Sequence, residues 1–391
     1  MIVTQTKAIF IDAYRELNAK KLFWLTLGLN LLVVALYASL GINEKGVTLL
    51  HWNFESKFFT TALVSKELFY TLQFTTWGVP IWLTWATAIL ALISTAGIIP
   101  EMVSGGAIEP VLSKPIGRSR LFLTKYMTGL LFVALQVLVF TVGCMLVMGI
   151  RGGAWNFNLL LAIPIVLAFF SYLFAFCAFV GLITKSTIAA LLLTILFWLT
   201  IWIVNTGDQM LIMQREGSII QVEDRQLDIE KQIEFADKRI EQLREQDKPV
   251  PGDEGNPLPD GYEDIQEAVN PALRMSRSRL EEAKESQATW TAWAARVITL
   301  KTILPKTQDT VRLLERHLIT DEDMAKLMGF DAQSQPQNTS ENDPAFADPR
   351  AAERTAEIMR KRSITWVLGT SFAYEFLLLG LCCVIFVRRD F

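Results

Sequence analysis

Six apolar runs constrain this chain more than any other feature. They cover roughly residues 22–40, 76–98, 123–149, 159–183, 188–204 and 364–387. A helix needs about 20 apolar residues to cross a hydrocarbon core, and each run comes near that length. Hydrocarbon offers no partner to backbone N–H and C=O groups, so a spanning segment must satisfy them internally, as a helix does. Composition agrees: 51% of the residues are hydrophobic and mean hydropathy is +0.32, too apolar for an ordinary soluble globule. The expected fold is an all-α integral membrane protein with six transmembrane helices. Only residues Thr184 to Ser186 separate the fourth and fifth runs, which predicts a tight helical hairpin.

Orientation follows from Lys and Arg near the ends of the runs. With the N-terminus inside, Lys7, Arg15, Lys20, Lys21, Lys114, Arg118, Arg120, Lys125, Lys185, Arg388 and Arg389 all fall on the inner side. The short outer loops carry only Lys45, Lys57, Lys66 and Arg151. Arg360, Lys361 and Arg362 run against this bias, but they close a long loop, and long loops translocate largely regardless of charge. The chain is thus expected to be a multi-pass protein of the inner, cytoplasmic membrane. In residues 1–21, Ile2, Ile9, Phe10 and Tyr14 with Arg15, Lys20 and Lys21 predict a short helix lying in the inner interface rather than a signal peptide. A net charge of -3 gives no nucleic-acid footprint. Cys144, Cys177, Cys382 and Cys383 all sit in apolar runs, so no disulfide framework is expected. His51 and His317 are isolated, and no metal site is expected at either.

Residues 22–204 hold the first five spans and residues 364–391 the sixth with its inner tail. Between them, residues 205–363 carry more than half of the 37 Lys and Arg and no stretch long enough to span, which predicts a separate extracytoplasmic helical domain. Its first part has a heptad seam, Val222, Gln226, Ile229, Ile233, Ala236, Ile240 and Leu243, with charged residues between. The seam is short, so a coiled-coil-like antiparallel hairpin within the chain is expected. Residues 248–262 are a turn-rich break. A second helix over about 263–286 leads to Trp290, Trp293, Val297, Leu300 and Leu304 on one helical face. Two readings of that stripe stand: packing against the hairpin, or an interfacial helix on the outer membrane surface, where Trp is favoured. Thr320 with Asp323 predicts a helix start and Gly329 its stop; residues 331–348 are polar and poor in apolar side chains. Asp348 and Pro349 should cap a helix that leads into the sixth span. Asn338-Thr339-Ser340 matches the glycosylation sequon, a short and common pattern.

The chain carries no G-x-x-x-x-G-K-[ST], H-E-x-x-H, C-x-x-C or G-x-S-x-G motif. Residues 181–187, GLITKST, imitate the first but lack its second glycine and lie at a membrane hairpin. No catalysis and no cofactor are expected of this chain itself. Energy for any driven work would come from a partner.

Residues 98–120, IIPEMVSGGAIEPVLSKPIGRSR, join the second and third spans on the inner side. Glu101, Gly105 with Gly106, the run Glu109-Pro-Val-Leu-Ser-Lys-Pro115, then Arg118 and Lys125 resemble the signature of ABC-2 type transporter permeases, closest in style to those grouped with multi-copper enzyme maturation. The ending Phe386-Val-Arg-Arg-Asp390, the six-span layout and the amphipathic N-terminal helix resemble the same family. The resemblance implies that residues 99–121 form a coupling segment docking into a separate ATP-hydrolysing subunit, with Glu101, Gly105, Glu109, Pro115 and Arg118 forming or bracing the contact. It further implies a homodimer or heterodimer of permeases in the lipid bilayer, ATP and Mg on the partner subunit, and export as the direction. Local chemistry is compatible. The paired glycines permit close approach, and Pro115 disfavours the helical region at Lys114. The long insert departs from the family pattern and leaves room for an extracytoplasmic protein partner. A rival reading is a membrane scaffold or sensor whose helical hairpin binds a partner without transport.

Glu375 lies near the middle of the sixth run. A carboxyl at bilayer depth is costly and normally faces protein or water. Asn30, Gln136 and Tyr172 are the expected partners. Glu375 would either line a path or hold the halves of two subunits in register, or else be a protonated carboxyl satisfied by a neighbouring helix.

Overall fold

The computed structural model describes residues 21–55, 60, 61, 63–104, 117–320, 323 and 348–388. It is 81% helical, with six helices long and apolar enough to cross a membrane, so the chain is a helical, multi-pass membrane protein. The expected interfacial helix over residues 1–21, the helix stop at Gly329, the tract 331–347 and the sequon at Asn338 lie outside the described residues, apart from Lys21.

The spans run close to their predicted places, with ends moved by local chemistry. Span 1 is α1, Lys21–Ser39. Span 2 begins well before the apolar run: α2, Lys66–Gln73, starts where Ser65 Oγ accepts from Leu68 N–H at 3.1 Å. It continues as a π-helical stretch, Phe74–Thr87, then α3, Ala88–Thr95, and α4, Ile98–Ser104. Pro80 lies inside the π stretch and donates no N–H, so the ordinary helical ladder cannot run through it unbroken. Span 3 is α5, Arg118–Val147, and span 4 is α6, Ala162–Thr184, preceded by a 3-10 turn, Phe157–Leu161. Lys185, left-handed at φ 54°, ends α6 and begins the short link to α7, Thr187–Glu245. That helix carries span 5 and the heptad region without a break. Span 6 is α12, Ile364–Arg388.

One element departs from an all-α chain. After α1 the chain folds into a three-stranded antiparallel sheet: β1, Leu40–Asn43; β2, Gly46–Leu49; β3, Trp52–Glu55. Leu40 pairs with Leu49 and Asn43 with Gly46. Asn43 Oδ1 accepts from the N–H groups of Lys45 and Gly46, both at 2.9 Å, and Gly46 takes φ 146°, open to glycine alone. These turn contacts close a hairpin in a segment too short for another helix.

By its internal contacts the chain divides into two compact units. One joins residues 1–203, 301–336 and 362–391; the other joins 204–300 and 337–361. In the first, α5 and α6 form the centre, and α1, α4, α10 (Thr307–Leu318) and α12 pack on one or both of them. Residues 301–318, expected as part of the insert, therefore pack with the spans. Tyr126 of α5 stacks on Phe174 of α6 at 5.1 Å, and Gly129 lets that ring approach the α5 backbone. A side chain at Gly129 would overlap Phe174.

The second unit contains the distal part of α7, then α8, Ile265–Val269, α9, Ala272–Ile303, as far as Leu300, and α11, Pro349–Arg360. Of the heptad seam, Val222, Ile229 and Ala236 are buried. Gln232 bonds to Ser276 at 2.9 Å and Asp237 to Gln266 at 2.7 Å, so the two arms run in opposite directions. The turn between them uses Gly252, Gly255 and Gly261, all at positive φ. Asp348 caps α11, with Pro349 at its first turn, as predicted. That helix stops at Arg360 instead of running into α12. Arg350 grips Asp224 and Arg354 grips Glu223, tying α11 to α7.

Replacing Gly129 with Leu should destabilise the chain by about 1–3 kcal/mol through overpacking. Gly28→Leu, at a helical position with open space around it, should leave stability at or above wild type. Thermal unfolding followed by circular dichroism in detergent compares the two.

Candidate functional site: polar clusters of the span bundle

Three polar clusters lie in or beside the spans. The first joins spans 1, 2 and 3. Asn30 Nδ2 donates to Gln136 Oε1 at 2.5 Å, and Asn30 Oδ1 accepts from Trp82 Nε1 at 2.7 Å. Gln136 Nε2 donates to Thr26 Oγ1 at 2.7 Å and to Phe23 O at 3.3 Å. Asn30 and Gln136 are both fully buried. The group is closed: each amide reaches partners within it.

The second surrounds Glu375, buried in α12 about 17 Å along the helix from Ile364 at 1.5 Å per residue. Its partners differ from those expected. Asn30 and Gln136 pair with each other, and the carboxyl is held by Tyr126 of α5, at 2.9 Å to Oε1, and by Ser171 of α6, at 2.8 Å to Oε2. Tyr172, the third expected partner, makes no hydrogen bond to the carboxyl; its buried hydroxyl faces Thr310 and Ser371. The adjacent Ser171 is the contact instead.

The third cluster lies where α9 ends, α10 begins and α12 begins. Asp309 Oδ2 receives Lys301 Nζ at 2.6 Å and Arg362 at 3.0 Å, with side-chain exposures of only 4%, 3% and 9% in that order. Lys306 is also buried. Its Nζ donates to Thr302 O at 2.8 Å and Leu304 O at 3.0 Å and sits 4.8 Å over the Trp366 ring. Its backbone N–H donates to Ser371 Oγ at 2.9 Å, pinning the α9–α10 junction to α12. Burial alone would raise the Asp309 carboxyl, but Lys301 and Arg362 hold it below its ordinary value. Burial, reinforced by Lys301 and opposed by Asp309, pushes the Lys306 amine down to about 8.

This cluster was missed in the sequence. Lys301 and Asp309 flank Pro305 with no recognisable spacing, and Arg362 comes 53 residues later. The one available signal was the run Arg360, Lys361 and Arg362 against the charge bias: Arg362 is matched by a buried carboxylate.

Of the expected coupling residues, Gly105, Glu109 and Pro115 lie outside the described residues. Glu101 is exposed on α4, its side chain turned back against Gly97. Helix α4 packs on α5 and α6, with Pro100 against Gly181. Arg118 opens α5 and donates to Val387 O of α12 at 3.1 Å. In the second unit Trp290 is half-buried, while Trp293 is exposed beneath the Arg296 guanidinium at 5.0 Å. Among the described residues no group of acidic, His and Cys side chains could hold a metal ion.

The chain matches no protein-family model, no curated protein and no solved structure. Its function is therefore argued from these residues and from the sequence pattern.

Asp309→Asn should cost about 3–5 kcal/mol in unfolding measurements, because it leaves buried cations uncompensated. The depressed carboxyl adds stability above the ordinary Asp range, lost as pH falls through and below about 4, so the variant should lack that acid limb. Lys306 acts in the opposite range. Between about 8 and about 10.4 the unfolded chain holds a proton that the folded chain has released, so stability should rise with pH there. Lys306→Met should flatten that rise.

Proposed function

We propose that this chain is the membrane-spanning permease subunit of an ATP-binding-cassette transporter of the ABC-2 type, working with a separate ATPase. The observation that supports the reading is how the described flanks of the segment between spans 2 and 3 are held. Helix α4 lies against spans 3 and 4, and Arg118 at the far side of the segment is bonded to the end of span 6. A partner pushing on this segment would displace three spans together. The sequence resemblance from Glu101 to Lys125 and the lack of a nucleotide-binding loop in this chain support a motor on another subunit. Two permease copies, identical or related, would form the path through the bilayer, and export is the direction that the resemblance favours. The chain performs no covalent chemistry in this scheme.

The test is co-expression with a Walker-motif ATPase from a neighbouring reading frame. Glu101→Lys and Arg118→Glu should each cut the co-purified ATPase at least about tenfold, a loss of about 1.4 kcal/mol, while leaving the helical content unchanged. Undiminished co-purification in both variants would sink the coupling role. It would favour the rival scaffold or sensor reading, which has its own support in Leu227, Phe235, Met275 and Trp293, all exposed on the second unit.

A further inference from the structure

The hydrogens around Glu375 do not match the number of acceptors. Tyr126 Oη lies 2.9 Å from Glu375 Oε1 and 2.9 Å from Ser171 O. Ser171 Oγ lies 2.8 Å from Glu375 Oε2 and 2.9 Å from Ala168 O. Each hydroxyl carries a single hydrogen. With the carboxyl ionised, Tyr126 donates to Oε1 and Ser171 to Oε2. With the carboxyl protonated on Oε2, that hydrogen goes to Ser171 Oγ, and the Ser171 hydroxyl turns to Ala168 O. Tyr126 continues to donate to Oε1. Both states satisfy the carboxyl at the same heavy-atom positions, and they differ by the rotation of one serine hydroxyl.

A second observation points to a supply route. Tyr172 follows Ser171 on α6, and its buried Oη lies close enough to the hydroxyls of Thr310 and Ser371 to interact with them but meets neither in a well-formed hydrogen bond. Thr307 and Thr310, about one turn apart on α10, also bury Oγ1 without a partner. All three residues are at most 1% exposed. An unpaired buried hydroxyl costs about 1–3 kcal/mol. Three of them where α10 packs on α6 call for bound water, which typically makes about three hydrogen bonds to such groups. Ser371 is one helical turn before Glu375, and Asp309 is next to Thr310 along the chain. Ser371 Oγ, which accepts from Lys306 N–H, thus stands between the charged cluster and the carboxyl.

We propose that Glu375 is a proton-binding site, supplied from the Asp309 end through water held by Tyr172, Thr307 and Thr310. Hydronium gives its proton to the Glu375 carboxylate, leaving water and a neutral carboxyl, and the reverse step releases it. The titratable groups facing this region are Tyr126 from α5, Tyr172 from α6, Cys382 from α12 itself and, at the α10 end, Asp309 with Lys301, Lys306 and Arg362. The proposal stands apart from the permease reading, since nothing in it requires transport.

Infrared difference spectroscopy on the full chain in lipid nanodiscs tests it, with buffer exchanged between about pH 3 and about pH 9, across the carboxylate range. The wild type should show a reversible band of a protonated buried carboxyl, shifted in D2O and missing in Glu375→Gln. The double variant Tyr172→Phe, Thr310→Val should slow the D2O shift at least about tenfold. Thr310→Ser, which keeps the oxygen, should exchange like wild type and guards against a misfolded double variant. A wild-type spectrum identical to that of Glu375→Gln across the range would overturn the proton site. Unchanged exchange in a folded double variant would overturn the route.

Discussion

The ion pairs of Asp309 with Lys301 and Arg362 hold together the junction where α9, α10 and α12 meet. They are made by the last turn of α9, the first turn of α10 and Arg362, two residues before α12, three pieces that share little else in sequence. Remove the carboxylate and two desolvated cations face each other beside Lys306. With it in place, Arg362 can enter a buried site and span 6 can begin two residues later, with Trp366 under the cations. The Lys306 N–H bond to Ser371 then fixes the height of α10 along span 6. The distance from the charged cluster to Glu375 follows from that.

The bundle handles its other polar groups in two ways. Asn30, Gln136, Thr26 and Trp82 satisfy one another in a closed group, which suits a joint between three spans. Such a group rigidifies, since each member lost leaves others unpaired. The surroundings of Glu375 are open by contrast. Its hydroxyl partners have more acceptors than hydrogens, and Tyr172, Thr307 and Thr310 nearby bury hydroxyls without a well-formed hydrogen bond. Rigidity in one place and proton freedom in the other are both written in hydrogen-bond counts.

Apolar run length placed the spans because it reports a solvent requirement that holds residue by residue. Their ends were less legible. Span 2 begins at a serine cap nine residues before the first π-helical residue, Phe74, in a stretch too polar to register as membrane. The continuity of α7 was hidden because its pattern changes from apolar all round to a heptad seam, although the helix itself does not stop. The small sheet depends on the turn at Asn43 and Gly46, a local signal overshadowed by the spans on either side. Glu375 stood out as an acidic residue in an apolar run, but its partners did not. Tyr126 and Ser171 look like ordinary span residues, and only the packing of α5 and α6 brings them to it. The Asp309 cluster was least legible, since charges in a polar segment normally read as solvated.

The π-helical stretch of span 2 has a consequence for motion. A π turn holds an additional residue relative to an α turn. Converting one to α geometry would rotate everything beyond it by about 100°, the angle of one residue in a helix of 3.6 per turn. Glu101 lies beyond it and Trp82 within it. Span 2 is thus wound like a screw with slack in its thread, and that slack lies at the level where Trp82 meets Asn30.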